Sequence, residues 1–156
     1  MISTVLPTAL CVSDLERSLR FYCELLGFRV AAELPPPAAR ERWDRYHEQV
    51  CRIPGASIQV VYLEAPDGAS HLELIEYLEP KLPTPPPRGL NEPGTAIVAL
   101  GLRGSREAVE RLRAAGVEVL SDPVQYETDE GARSLTTYFR DPDGNALCLF
   151  EIVEEG

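Results

Sequence analysis

The sequence predicts an α+β protein in which two tandem β-α-β-β-β modules form cupped mixed sheets. Prolines cluster at 35–37 and again between 79 and 94, where neither a helix nor a central strand is expected. The second cluster separates two halves that carry the same order of elements. We therefore predict one domain over residues 1–156, with module one at 1–78, a proline-rich linker at 79–94 and module two at 95–156.

Module one opens with a β-rich run and a helix. Ser13 or Asp14 suits the helix N-cap, and Gly27 suits the left-handed position that ends it. The predicted elements are a strand at 4–12, a helix at 15–26, strands at 28–32, 58–63 and 71–77, and an additional short helix at 38–51. A turn at Asp67-Gly68 joins the last two strands. The short helix is expected to act as a lid that packs on the sheet.

Module two repeats this plan, with Ser105 as the expected N-cap and Gly116 as the helix stop. The predicted elements are a strand at 96–102, a helix at 105–115, and strands at 117–120, 134–139 and 146–153, with a turn at 141–144. One helix covers only one face of a four-stranded sheet. The other face is therefore expected to close against its twin or a partner chain and to enclose a cavity.

Composition excludes several classes of function. With 15 Lys+Arg against 25 Asp+Glu, the net charge of −10 repels a nucleic-acid backbone. No apolar run is long enough to span a membrane, and the first residues do not resemble a secretion signal. We expect a cytoplasmic protein with reduced thiols and no disulfide framework. The four cysteines are Cys11, Cys23, Cys51 and Cys148.

Four segments carry a family resemblance that spans nearly the whole chain. They are VSDLERSLRFYCELLGFRV (12–30), HLELIEYLEP (71–80), LRAAGVEVL (112–120) and YFRDPDGNALCLFE (138–151). In this order they resemble the glyoxalase, bleomycin-resistance and dioxygenase group, the vicinal-oxygen-chelate superfamily. The resemblance implies a glyoxalase-like fold and a small-molecule substrate or ligand.

The resemblance also implies a divalent metal held by the first and last strands of each module, mostly through His, Glu or Gln. The corresponding positions here are Pro7, Glu73, Ile97 and Cys148. Proline and isoleucine offer no side-chain donor, and a site open to substrate needs about three protein ligands. We therefore expect no metal cofactor. The alternative is a site of Glu73 and Cys148, joined by His71 or His47, for a softer metal such as zinc.

Strand alternation places His71, Glu73 and Ile75 on one face and leaves Leu72 and Leu74 for the helix side. A carboxylate facing an apolar cavity has a raised pKa, so Glu73 is the predicted catalytic acid or base, with His71 as a partner that orients it or shares its proton. The residues expected to line the substrate site are Pro7, Trp43, His47, Ile75, Ile97, Tyr138 and Cys148. For His71 the alternative is an exposed position after the turn, and for His47 it is packing. For Cys148 a buried inert thiol is expected, and the register of Tyr138 stays open.

Two functions follow from this sequence. The first is an enzyme that moves a proton on an organic carbonyl or natural-product substrate without a metal, of the isomerase, lyase or cyclase type. The alternative is a protein that binds and sequesters an aromatic or natural-product ligand, as bleomycin-resistance proteins do. An iron-dependent dioxygenase and classical glyoxalase activity are disfavoured by the missing ligands. A homodimer is expected, with the modules paired within or across chains.

Overall fold

The computed structural model describes residues 6–153, and the chain forms two compact units. The first ends at Pro85 and the second begins at Pro86. This boundary lies inside the predicted proline-rich linker. Residues 4 and 5 of the first predicted strand lie outside the described residues.

The first unit contains one four-stranded mixed sheet in the order β1-β4-β3-β2. Strand β1 runs parallel to β4, while the β3–β4 and β2–β3 pairs are antiparallel. Its elements are β1 (Thr8–Val12), α1 (Leu15–Leu19), a π-helix (Arg20–Leu25), β2 (Arg29–Leu34), a 3₁₀ turn (Pro37–Ala39), α2 (Arg40–Cys51), β3 (Ser57–Glu64) and β4 (His71–Glu79). The predicted order is confirmed, except that Pro37 begins a 3₁₀ turn where no helix was expected. Proline is tolerated there because the first position of a helix needs no N–H donor.

The two faces of this sheet have different partners. Leu72 and Leu74 are buried on the helix side, whereas Glu73, Ile75 and Tyr77 alternate with them and are half-buried. The predicted alternation along β4 is therefore confirmed. The face that carries Glu73 is the face on which α2 lies.

The predicted helix at 15–26 forms in two parts, α1 and the π-helix. Asp14 is its N-cap and accepts a hydrogen bond from the Arg17 amide at 2.9 Å. Gly27 has a φ of 84°, which places it in the left-handed conformation that glycine adopts at little cost.

The second unit holds a sheet of the same topology, in the order β5-β8-β7-β6. Its elements are β5 (Ile97–Gly101), α3 (Ser105–Ala114), β6 (Val124–Glu127), β7 (Arg133–Arg140) and β8 (Ala146–Val153). The prediction of a regular strand at 117–120 is wrong. That segment follows β7 with single backbone hydrogen bonds, such as Leu120 N–H to Tyr138 C=O at 2.8 Å, and the regular edge strand begins only after Pro123.

A glutamate from the last strand caps the first helix of each unit. In the first unit the Leu15 amide donates to Glu76 at 3.1 Å; in the second the amides of Gly104 and Ser105 donate to Glu151 at 2.7 and 2.8 Å. The predicted N-cap at Ser105 is therefore wrong, since Gly104 holds that position and a carboxylate from β8 supplies the acceptors. Glu76 and Glu151 occupy matching places in the two repeats.

The helices of the described residues are short. In 6–153 no helix is both long and apolar enough to cross a membrane.

Candidate functional site

The candidate site centres on a pair of residues that face each other on β3 and β4. Tyr62 is the antiparallel register partner of Glu73, and Ala9 is the partner of Glu73 on the parallel side. The Tyr62 hydroxyl interacts with the Glu73 carboxylate, and each shifts the pKa of the other. The central carboxylate of this face therefore has a phenol as its neighbour across the strand pair.

The environment of Glu73 favours its protonated form. Burial raises the pKa of the Glu73 carboxyl, and the Tyr62 hydroxyl and the nearby His47 partly oppose that rise. Burial likewise raises the pKa of the Tyr62 hydroxyl, and the Glu73 charge adds to the effect. This direction moves the Glu73 carboxyl toward the pKa that suits proton exchange near neutral pH.

Helix α2 covers this face and is fastened at its N-terminal half. The indole N–H of Trp43 donates to the Ile58 carbonyl at 3.1 Å, and the Arg40 guanidinium donates to the same carbonyl at 2.8 Å. The Ser57 hydroxyl donates to Asp44 at 3.0 Å. The predicted lid helix is confirmed, and these bonds fix how it sits over β3.

His47 is brought toward Glu73 by this helix. Its Nδ1 lies 3.0 Å from the Trp43 carbonyl one turn earlier, and a carbonyl can only accept, so Nδ1 carries the proton. In the neutral ring Nε2 is then the nitrogen that can accept a proton. The centroid of the His47 ring also lies 4.3 Å from that of Trp43 and 4.8 Å from that of Tyr46, so His47 packs against both rings. The charge of His47 lowers the pKa of Glu73.

His71 lies on the same strand face as Glu73 but its ring has other neighbours. Its Nδ1 is 3.1 Å from the Ala69 carbonyl, and its Nε2 is 3.9 Å from the Glu64 carboxylate across the strand pair. The side chain is exposed at the start of β4. The histidine that lowers the pKa of Glu73 is therefore His47. The predicted partnership of His71 with Glu73 stays a prediction.

Two thiols and a phenol lie at the other end of the same face. The Tyr77 hydroxyl donates to the Cys51 sulfur at 3.3 Å, and this bond together with burial raises the pKa of Tyr77 to about 12. Cys11 pairs in register with Ile75, and burial followed by the neighbouring Cys51 raises the pKa of the Cys11 thiol. All four cysteines of the chain are free thiols.

The remaining lining residue predicted in the first unit is Pro7. It is half-buried and directly precedes β1, two residues from the register partner of Glu73.

In the second unit the equivalent of Glu73 is apolar. Cys148 is buried, burial raises the pKa of its thiol, and Tyr138 is its register partner on β7. The register of Tyr138, open from the sequence, thus places it on the Cys148 face. Ile97 lies at the start of β5 on the same face and is 41% exposed.

The residues at the family's metal positions do not fit a metal. Pro7 and Ile97 offer no donor atom, and the Cys148 thiol is buried with a raised pKa, which opposes the thiolate that a metal needs. Within residues 6–153 no three His, Cys, Asp or Glu side chains lie together as a metal site would require. We therefore derive no chemical step through a metal.

Tyr62 is the site residue that the sequence reasoning missed. The turn at Asp67-Gly68 could have revealed it, because a hairpin pairs residues symmetrically about its turn and Tyr62 and Glu73 are equally distant from this one.

Comparison with known proteins places the chain in a family. The family model of the Glyoxalase/Bleomycin resistance protein/Dioxygenase superfamily matches residues 4–149. A glyoxalase family protein from Bacillus cereus has 22% identity and a TM-score of 0.79, with 99% of each chain covered. The glyoxalase family protein from Enterococcus faecalis has 24% identity and a TM-score of 0.61, with 95% of this chain and 97% of that chain covered.

A third solved structure is the trypanothione-dependent glyoxalase I of Leishmania major. It has 23% identity and a TM-score of 0.61, with 96% of this chain and 87% of that chain covered. A search of curated protein sequences finds no match. At these identities the solved structures establish a shared fold. The family match over residues 4–149 shows that this chain belongs to the Glyoxalase/Bleomycin resistance protein/Dioxygenase superfamily.

Proposed function

We propose that this protein is a small-molecule enzyme in which Glu73 transfers a proton on an organic carbonyl or natural-product substrate, without a metal. The reaction would be of the isomerase, lyase or cyclase type. One observation carries the proposal: the half-buried Glu73 carboxyl has a raised pKa and is flanked by the Tyr62 hydroxyl and by His47.

Each neighbour of Glu73 has a chemical use in such a reaction. Removing a proton next to a carbonyl places negative charge on the carbonyl oxygen, and this charge must be stabilised by donors or by a metal. The Tyr62 hydroxyl lies beside Glu73 and its raised pKa keeps it protonated, so it can turn from the carboxylate and donate to that oxygen when a substrate binds. His47 is fixed through Nδ1 to Trp43, and its Nε2, once protonated, can return a proton to the substrate.

A second function rests on the aromatic side chains of α2. The centroid distance between Trp43 and Tyr46 is 6.4 Å, and both rings lie beside His47. Aromatic clusters favour flat ligands. A binding and sequestering protein would need this surface but would not need the proton-transfer property of Glu73.

Deuterium exchange tests the enzymatic proposal without a known product. Wild-type protein and Glu73→Gln are incubated in D₂O with a panel of small carbonyl compounds, with and without a chelator, and each compound is examined by mass spectrometry. The proposal expects at least one compound to gain deuterium with wild type, with the rate lowered about 10²–10⁴-fold in Glu73→Gln. Exchange that is equal in both proteins, or that the chelator abolishes, would contradict it.

A further inference from the structure

Within residues 6–153, no lysine or arginine is paired with the Glu73 carboxylate at the centre of the site. The Arg40 guanidinium reaches the same region but donates to the Ile58 carbonyl at 2.8 Å and to Gln59 at 2.5 Å, and it lies 3.5 Å from Asp44. These three acceptors lie where α2 meets the start of β3. The charge of Arg40 is therefore used to fasten the lid.

Two other basic side chains of the first unit are paired with other carboxylates. Lys81 lies 2.9 Å from Glu76, which belongs to the opposite face of β4. Arg29 lies 2.6 Å from Glu64 at the far end of the β2–β3 pair. Of the charged groups that act on Glu73, only His47 favours its ionised form.

Aromatic side chains lie close to this carboxylate. Tyr62 is the register partner of Glu73 and interacts with it, and Tyr46 is close enough to Tyr62 to raise the pKa of its hydroxyl. Trp43 and Tyr46 both pack beside His47. Aromatic faces attract cations, and a partly desolvated carboxylate attracts them more strongly than one in water.

From this arrangement we propose that the Glu73 site takes an organic cation, specifically a protonated amine attached to a flat apolar group. This inference concerns the site of the proposed function and rests on it. An ammonium group would pair with Glu73 while its flat part packs against the α2 rings. A carboxylate or phosphate ligand would instead meet the Glu73 charge and the net charge of −10.

Three matched probes test this class: benzylamine, benzyl alcohol and benzoate. They share one ring and differ in charge. Trp43 is the single tryptophan of the chain, so the change in its fluorescence on titration reports binding beside the lid. The proteins are wild type, Glu73→Gln and Glu41→Gln. Glu41 is exposed and pairs with Arg45 on α2, so its variant makes the same change in net charge away from the site.

We expect wild type and Glu41→Gln to bind benzylamine at least about tenfold more tightly than benzyl alcohol and benzoate, and Glu73→Gln to lose this preference. Equal binding of the three probes, tightest binding of benzoate, or no saturable binding of benzylamine would overturn the cation inference. In that case the proposed proton transfer would still be supported if deuterium exchange depends on Glu73. An amine preference that survives in Glu73→Gln would overturn the cation inference as well, because it would place the amine elsewhere.

Discussion

Tyr62 and Glu73 stand directly opposite each other on antiparallel strands, and the phenol interacts with the carboxylate. The Tyr62 hydroxyl favours the ionised carboxylate, while burial disfavours it. The balance leaves a carboxyl with a raised pKa on the face that α2 covers. The predictions below follow from that balance and from the fold that creates it.

Replacing Glu73 should stabilise the protein at neutral pH. Because burial raises the pKa of Glu73, the folded state holds its proton more tightly than the unfolded state, so folding stability falls as pH rises above the ordinary value of 4.5. Glu73→Gln removes this cost. The variant should gain less than about 1 kcal/mol at pH 7, since the site is partly exposed.

Urea unfolding from pH 4 to pH 8 measures this effect. The gain of Glu73→Gln over wild type should shrink as the pH falls toward 4.5 and should be absent in Glu33→Gln, which alters an exposed carboxylate on β2. A Glu73→Gln protein that is less stable than wild type at pH 7 would show that the carboxylate is stabilising.

Glu151 should have the opposite pH dependence. The nearby Ser105 side chain and the hydrogen bonds from the amides of Ser105 and Gly104 lower the pKa of Glu151. Its contribution to stability is thus complete above 4.5 and is lost as the pH falls through the lower folded-state pKa. Glu151→Gln should lose about 1 kcal/mol at pH 7, as expected for the loss of a cap.

Thermal unfolding checks this prediction, with Glu130→Gln as the control because Glu130 is exposed in the β6–β7 loop. Equal unfolding temperatures for Glu151→Gln and Glu130→Gln at pH 7 would mean that the cap contributes nothing.

Much of the fold could be predicted because both repeats carry local sequence signals, such as capping residues and helix-ending glycines. Asp14, Gly27 and Gly116 act as predicted, since capping and left-handed positions depend on nearby residues alone. The predictions that failed depended on tertiary contacts. Ser105 was expected to cap its own helix, but a carboxylate 46 residues away does so, and no local pattern reveals that partner.

The site was predicted in part for the same reason. Strand alternation placed Glu73 correctly, because it needs only the local period of two. Tyr62 required the hairpin register, and the approach of His47 required the bonds of Trp43 and Arg40 to the Ile58 carbonyl. Such proximity depends on packing between residues that are far apart in the sequence.

The protein is expected to purify without a stoichiometric transition metal. Pro7 and Ile97 stand where the family resemblance assigns two of four ligands, and neither has a donor atom. Elemental analysis of protein prepared without chelator checks this. About one tightly bound zinc, iron, nickel, cobalt or manganese per chain, lost in Glu73→Ala, would contradict the expectation.

We also expect a homodimer. On the second sheet, large apolar side chains remain exposed on the face opposite α3, and surface of this kind favours association. They are Ile97, Val124, Tyr126, Phe150 and Ile152. Light scattering at micromolar concentration should give twice the chain mass of 17.2 kDa, and a particle of the single chain mass would refute the prediction.

The most direct test of the central claim is a titration of the Glu73 carboxyl itself. The ¹³C resonance of its side-chain carboxyl is followed against pH in wild type and in Tyr62→Phe, with Glu73→Gln to assign the signal. We expect a midpoint above the ordinary 4.5 in wild type and a still higher midpoint in Tyr62→Phe, because the Tyr62 hydroxyl lowers the pKa that burial raises. A midpoint at or below 4.5 in wild type would contradict the account.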